Sequence, residues 1–129
     1  MKKMFIVLAT VLFGFSVYAE DPPPTSKDVQ IGINGVFVPG SFDANTEAYV
    51  VVNGVFPNGC YKWGRADIAN VDAFNHEVKS IATVTQGMCI MVLVPFQKDV
   101  RLGKLAQGKH TLKFLSGDGT YLEKTLTIE

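Results

Sequence analysis

Few residues of this chain have side chains suited to acid–base chemistry, and the first candidates are His76 and Glu77. A histidine beside a carboxylate can serve as a general base. Successive residues of a strand point to opposite faces of a sheet, however, so this pair cannot easily cooperate within a strand. We therefore expect His76 to mark a solvent-exposed strand start, and not a catalytic base.

The second histidine, His110, raises the question of a metal site. A structural zinc site needs about four protein ligands, so the two histidines would require a carboxylate such as Asp72 beside them. Nothing in the spacing of these residues calls for that arrangement. The sequence therefore predicts no bound metal and no cofactor.

Paired carboxylates and nucleophiles give no stronger indication of catalysis. Asp67 and Asp72 lie five positions apart, but an acid–base pair needs a separation and an environment that the fold defines. The serines lack the context of a nucleophile elbow, and the glycine-rich segment 117–119 lacks the strand-to-helix setting of a phosphate loop. We predict that the protein is not an enzyme. A metal-dependent hydrolase, with His76 or His110 joined to carboxylates in a concave pocket, is an alternative.

Aromatic and arginine side chains suggest binding more than catalysis. Tyr61, Trp63 and Arg65 alternate along one predicted strand and would share a face. These residue types are enriched at binding hot spots, so an outward face would recognise a protein or a glycan. An inward face would make Trp63 a core tryptophan, as in many β-sandwiches, and we favour that placement. Phe74, in a predicted loop over 70–75, is the fourth candidate, as a contact residue or as a plug into the core.

The N-terminal residues predict an exported protein. Lys2 and Lys3 precede the apolar stretch 4–15, and Ala19 ends a segment of small and aliphatic residues suited to cleavage. A membrane helix needs about 20 apolar residues, which this stretch does not reach. We predict a cleaved signal peptide over 1–19 and a periplasmic or secreted product without a membrane span. A retained anchor is the alternative, and no cysteine follows the stretch to carry a lipid.

Residues 20–27 contain three consecutive prolines and predict a stiff linker before a single domain over 28–129. The chain has 12 basic and 12 acidic residues, so loss of Lys2 and Lys3 leaves 10 against 12, a net charge of −2. No basic cluster remains to neutralise phosphates, and we expect no nucleic-acid partner.

The two cysteines, Cys60 and Cys89, are predicted to form a disulfide. An even number of cysteines in an exported chain favours a bridge. Two free buried thiols, or half of a metal site, are the alternatives.

The spacing of apolar residues follows a period of two, which is typical of strands. The unbroken apolar run 88–96 predicts a central strand that is covered on both faces. The strands are separated by turn residues every 8–12 positions, which favours an all-β sandwich of seven or eight antiparallel strands over a barrel. The predicted strand segments are 29–33 and 36–38 (two parts of one bent segment), 47–52, 60–68, 77–84, 88–96, 99–102, 109–115 and 121–128.

The stretch from Val100 to Leu112 resembles the E–F corner of immunoglobulin-like and fibronectin-type modules of bacterial secreted proteins. In those modules a leucine-rich strand end leads through a glycine to an aromatic corner residue. The resemblance covers residues 95–129 and implies an immunoglobulin-like β-sandwich. His110 stands where the family usually has tyrosine, and its ring nitrogen is expected to bond the corner backbone. Cys60 departs from the antibody pattern, because it opens the strand that carries Trp63.

Together these observations predict an exported, non-enzymatic module that acts through contacts with another exported or cell-surface protein, or with a glycan. A secreted inhibitor of a hydrolase is the first alternative. It would present a rigid loop, over 53–59 or 70–75, from the sandwich.

Overall fold

The computed structural model describes residues 25–129 and the single residue Gly14. The predicted signal peptide and most of the predicted linker lie outside the described residues. All eight elements of the described part are strands, which confirms the all-β prediction. Within it, no helix meets the length and hydropathy needed to cross a bilayer. The strands are β1 (Ser26–Ile31), β2 (Gly35–Phe37), β3 (Glu47–Phe56), β4 (Tyr61–Asn70), β5 (Asn75–Thr85), β6 (Val94–Lys104), β7 (Gly108–Leu115) and β8 (Tyr121–Ile128).

The strands form two sheets, as a sandwich requires. In the five-stranded sheet, β4 pairs along one side of β5. The other side of β5 is shared end to end by β7, over residues 75–79, and by β1, over residues 80–85. β8 lies beyond β7. The three-stranded sheet has the order β2-β3-β6.

One pairing departs from the predicted antiparallel arrangement. β5 and β7 are parallel, whereas the other strand pairs are antiparallel. After β5 the chain crosses to the three-stranded sheet and forms β6. It then returns to the five-stranded sheet as β7, which runs in the same direction as β5.

The core lies between the sheets and follows the alternation of the sequence. β3 turns Ala48, Val50 and Val52 inward, where they are fully buried. A fully buried valine side chain contributes about 1.5–3 kcal/mol relative to an exposed one. The other buried members of the core cluster are Val78, Val100, Leu112, Phe114, Leu126 and Ile128.

Two predicted boundaries are wrong. β1 begins at Ser26, inside the predicted linker, and pairs with β5 from that residue onward. The predicted central strand over 88–96 does not form: residues 86–93 are a loop, and β6 begins only at Val94. At the start of the loop, Gly87 has a positive φ of 137°, which turns the chain out of the β5 direction.

Candidate functional site

The aromatic strand is divided by a bulge, so the prediction that Tyr61, Trp63 and Arg65 share one face is wrong. The β4–β5 register shifts between Trp63 and Arg65. A Cβ atom on Gly64, at this shift, would lie 2.9 Å from the Ile81 carbonyl oxygen, so the backbones approach too closely for a side chain.

The bulge sends the aromatic and the charged residues of β4 to opposite sides. Tyr61 stacks on Phe56, and Trp63 contacts Phe96 with ring centroids 5.8 Å apart. Trp63 is partly buried against the core, in the interior placement that we favour from the sequence.

Arg65 faces outward instead. It donates to Asp28 at 2.7 Å and to Asp67 at 3.0 Å, and both partners are exposed. An exposed ion pair of this kind contributes little to stability, about 0–1 kcal/mol. A binding role for Tyr61, Trp63, Arg65 and Phe74 stays a prediction.

The two histidines, far apart in the sequence, meet inside the fold. His76 and His110 are 3% and 0% exposed, and their rings stack with centroids 5.1 Å apart. The expectation that His76 marks an exposed strand start is wrong. His76 is in phase with Val78 along β5, and the inner face of that strand is buried.

The histidines form a continuous chain of hydrogen bonds. His76 Nδ1 lies 2.6 Å from Asn70 Oδ1, His76 Nε2 lies 2.8 Å from His110 Nδ1, and His110 Nε2 lies 2.6 Å from the Ala106 carbonyl oxygen. The last of these bonds joins His110 to the backbone of the corner, as expected from the resemblance. Phe74 is partly exposed, and its ring packs at a tilt against the His110 ring, with the two ring centroids 5.1 Å apart. It covers His110 at this end of the sandwich.

The number of protons on the two rings depends on which way the Asn70 amide is turned. If Asn70 Oδ1 and the Ala106 carbonyl both accept, three hydrogen bonds need three protons, and the pair carries one positive charge. If the Asn70 amide is turned over so that its nitrogen donates, two neutral rings complete the same chain. Burial and then the neighbouring His110 lower the pKa of His76, which favours the neutral arrangement.

The histidine pair offers no open position for a metal or a substrate. All four ring nitrogens are engaged in the chain just described. The Asp72 carboxylate accepts from the Phe74 backbone N–H and from the Asn75 amide, and these bonds hold the pKa of Asp72 below its usual range. Among the described residues, no three histidine, cysteine, aspartate or glutamate side chains converge as a metal site requires.

A shallow cavity of about 230 Å³ lies beside His76 and includes Asp72 and Glu77 in its wall. In this cavity the predicted alternative of a hydrolase would find a histidine next to carboxylates. His76 is almost wholly buried, however, and both of its ring nitrogens already have partners. The geometry therefore supports a structural role for the pair.

The opposite end of the sandwich carries the disulfide. Cys60, at the start of β4, is bonded to Cys89, with Cα atoms 5.2 Å apart, which confirms the predicted bridge. The Gly59 N–H also donates to the Ile90 carbonyl at 2.9 Å. These two links hold the loop over residues 86–93, called the apolar loop below, against the turn before β4.

The apolar loop presents its side chains to solvent. Five of its large apolar residues are more than half exposed: Met88 (105%), Met91 (82%), Ile90 (76%), Leu93 (69%) and Val92 (53%). Sequence reasoning missed this surface because an unbroken apolar run is typical of a buried strand. The disulfide was the available signal: Cys60 directly follows a turn, so its partner must also lie at a sheet end.

A second exposed apolar surface lies on the outside of the three-stranded sheet and is called the sheet face below. The outer side of β3 is partly apolar, because Tyr49, Val51 and Val55 alternate with its buried residues, although Glu47 and Asn53 lie on the same side. Phe37 of β2 pairs with Val51 and is 63% exposed. Arg101 and Asp99 of β6 pair with Tyr49 and Val51 on the same side.

The predicted inhibitor loops are shorter in the structure than in the sequence analysis. Asn53 and Gly54 belong to β3, which continues to Phe56, and β4 continues to Asn70. Only the four-residue segments 57–60 and 71–74 remain as connections, so little chain is available to present to an enzyme.

These features define a disulfide-bonded, two-sheet β-sandwich with two exposed apolar surfaces. Comparison with known families agrees: the model of the ORF11 β-sandwich domain matches residues 50–128, more than half of the chain. The chain therefore belongs to the ORF11 β-sandwich domain family. Searches of curated proteins and of solved structures returned no significant match.

Proposed function

We propose that this chain is an exported, non-enzymatic binding module that contacts another exported or cell-surface protein through the sheet face. The observation behind the proposal is that the outer side of the central strand of this sheet carries three apolar residues, of which Tyr49 and Val55 are exposed. Antiparallel sheets commonly have one packed face and one polar, solvated face. An outward apolar face is therefore a candidate for a contact that another molecule covers.

The composition of the sheet face fits a protein partner. Phe37, Tyr49 and Val55 supply exposed apolar area. Tyrosine, phenylalanine and arginine are enriched at protein interfaces, and tyrosine and arginine are also frequent hot spots. Arg101, across from Tyr49, places such an arginine at the edge of the patch.

Charges of both signs surround the sheet face. Arg101 Nη1 lies 4.0 Å from Glu47 Oε2, and Asp99 is next to them on β6. Together with Tyr49 these side chains border a shallow depression of about 260 Å³. A mixed rim of this kind gives orientation and specificity to a protein contact. The disulfide and the predicted signal peptide support an oxidising compartment, periplasmic or extracellular.

The test is capture of a partner from a mixture of exported proteins. The variants distinguish binding through the sheet face from nonspecific hydrophobic adsorption. Phe37→Ser with Tyr49→Ser removes two exposed aromatic rings from the face. Tyr121→Ser is the matched control, because Tyr121 is an exposed aromatic residue of β8 on the other sheet.

We expect the double variant to bind the captured partner with an affinity about 30-fold lower than that of the wild type. This is the equivalent of one hot spot of about 2 kcal/mol. The control should bind like the wild type. Equal weakening by both variants, or no effect of the double variant, would contradict the proposal.

A further inference from the structure

We infer that the apolar loop is a membrane-docking element that inserts its side chains into the surface of an anionic lipid bilayer. The inference concerns a different surface from the sheet face and a different class of partner. It needs no membrane span, because the loop would reach only the interfacial layer of the bilayer.

The first argument is the exposure of the loop. Five consecutive or near-consecutive aliphatic and methionine side chains point away from the domain, and among the described residues none covers them. Single exposed apolar residues are common on protein surfaces, but a contiguous group marks a contact site. The group also lies in a loop at one end of the sandwich, outside both sheets, which suits entry into a lipid surface better than the face of a sheet does.

The second argument is the charge around the loop. Lys27 pairs with Val84 and Lys62 pairs with Thr83, so two exposed lysines flank the point where the loop leaves β5. The segments 55–66 and 83–98, which build this end, contain no aspartate or glutamate. The nearest carboxylate on β1, Asp28, is bound by Arg65.

Apolar side chains beside lysines are a combination by which interfacial segments bind anionic lipids, and the one carboxylate next to these lysines, Asp28, is already paired with Arg65. The sheet face differs in this respect, since carboxylates and arginine alternate along its rim. Charge therefore distinguishes the two surfaces and assigns the loop to a lipid headgroup layer.

The third argument is where the N-terminal segment joins the domain. The Gln86 N–H, at the start of the apolar loop, donates to the Thr25 carbonyl at 2.9 Å. The apolar segment 4–15 is therefore connected to the domain at this same end. A precursor attached to a membrane through this segment would therefore present the end of the domain that carries the apolar loop to that membrane.

The fourth argument is that the loop is already ordered. The Cys60–Cys89 bond and the hydrogen bond from Gly59 to the Ile90 carbonyl fix it before any contact is made. A preorganised loop loses less conformational freedom on binding.

The test uses the chain as recovered from the exported fraction of an expression host, and vesicles of phosphatidylcholine with or without phosphatidylglycerol. The loop variant is Ile90→Ser/Met91→Ser/Leu93→Ser. The matched control is Phe37→Ser/Tyr49→Ser, which removes exposed apolar side chains from the sheet face. All forms must first show a cooperative thermal transition well above the temperature of the binding measurement.

We expect the wild type to sediment with phosphatidylglycerol vesicles and the loop variant to bind at least about tenfold more weakly. The control should bind like the wild type, and Lys27→Ser/Lys62→Ser should weaken binding at low salt. A loop variant that binds as well as the wild type would overturn the inference. So would a loop-dependent dimer in sedimentation velocity, because a second copy would then be the occupant.

A reporter keeps the test decisive if the triple variant does not fold. Met91→Trp in a Trp63→Phe background places a single tryptophan in the loop. We expect its emission to shift to the blue with anionic vesicles and to be quenched by shallow spin-labelled lipids. Emission that stays at the wavelength of exposed tryptophan would refute insertion. The sheet-face variants affect only partner capture, so failure of this inference is distinguishable from failure of the proposed function.

Discussion

The two ends of the sandwich differ in the kind of side chain that they bury: one buries polar side chains, and the other exposes apolar ones. At one end, His76 and His110 are buried, and their ring nitrogens are joined to Asn70 and to the Ala106 carbonyl in one hydrogen-bonded chain. At the other end, the apolar loop is outside the core and is held by a covalent bond at Cys89.

The difference shows which end is complete by itself. The histidine end satisfies its polar groups internally, and no buried side-chain nitrogen or oxygen of the described residues lacks a partner. At the loop end, apolar side chains remain exposed to water, so they contribute no hydrophobic stabilisation to the folded domain. The histidine end therefore needs no further partner, whereas the apolar loop is suited to an external contact, even though the disulfide that holds it also stabilises the domain. The following predictions test this division.

The largest effect is expected from removing the disulfide, as in Cys60→Ala/Cys89→Ala. The bridge closes a loop with a sequence separation of 29, and its loss should lower the free energy of unfolding by about 3–4 kcal/mol. Urea denaturation measures the change, with the wild type in reductant as the control. The histidine ring signals in NMR should stay unchanged in the folded variant. Altered ring signals would mean that the two ends are coupled.

At the histidine end, His110→Phe keeps a ring in the core but removes both nitrogens. The Ala106 carbonyl and the facing nitrogen of His76 would lose their partners, so we expect a loss of about 2–3 kcal/mol in the free energy of unfolding. His110→Gln, which can still donate and accept, should fall between this variant and the wild type. Stability unchanged by His110→Phe would argue against a stabilising role for the chain.

A smaller effect is expected from pH. The pKa of His76 is lowered in the folded state, first by burial and then by His110. Between that lowered value and the unfolded value of about 6.5, the unfolded chain binds more protons. The free energy of unfolding should therefore have its full value above about pH 7 and decrease as the pH falls through this window. Denaturation at a series of pH values measures it.

Asn70→Asp is the sharpest control for the pH experiment. A carboxylate can only accept from His76 Nδ1, so it favours the positively charged pair and raises the pKa of His76. The loss of stability between neutral pH and about pH 5 should then shrink or reverse in sign. A pH profile identical to that of the wild type would show that Asn70 does not determine the charge of the pair.

The smallest effect on stability is expected from Ile90→Ser/Met91→Ser/Leu93→Ser in the apolar loop. These side chains are exposed, so the free energy of unfolding should change by no more than about 0.5 kcal/mol per site. Leu126→Ala, in the core, is the contrast and should cost about 2–5 kcal/mol. A loop variant that is as unstable as the core variant would mean that the loop packs inside the domain.

Much of the fold was predictable from local patterns. The alternation in β7 and β8 predicted which residues face the core, because a period of two places every second side chain on one side of a sheet. The disulfide followed from two cysteines in a chain predicted to be exported. The corner bond of His110 followed from the resemblance around Val100–Leu112.

Other features depend on what lies across the sheet or at the end of a strand. The bulge at Gly64 redirects Arg65, and it is required by the close approach of the Ile81 carbonyl on the neighbouring strand. The meeting of His76 and His110 depends on the parallel pairing of β5 with β7, which places His76 beside Leu112. Neither contact is indicated by the spacing, along the sequence, of the residues that make it.

Local patterns along the chain were enough to predict an all-strand domain and the pairing of Cys60 with Cys89. They did not indicate that the apolar run 88–93 lies outside the core or that two distant histidines form one buried hydrogen-bonded chain. Hydropathy expresses a preference for burial, whereas the pairing of strands determines which residues find space in the core. β6 takes its place in the three-stranded sheet from Val94 onward, and the disulfide holds the preceding residues at one end of the sandwich.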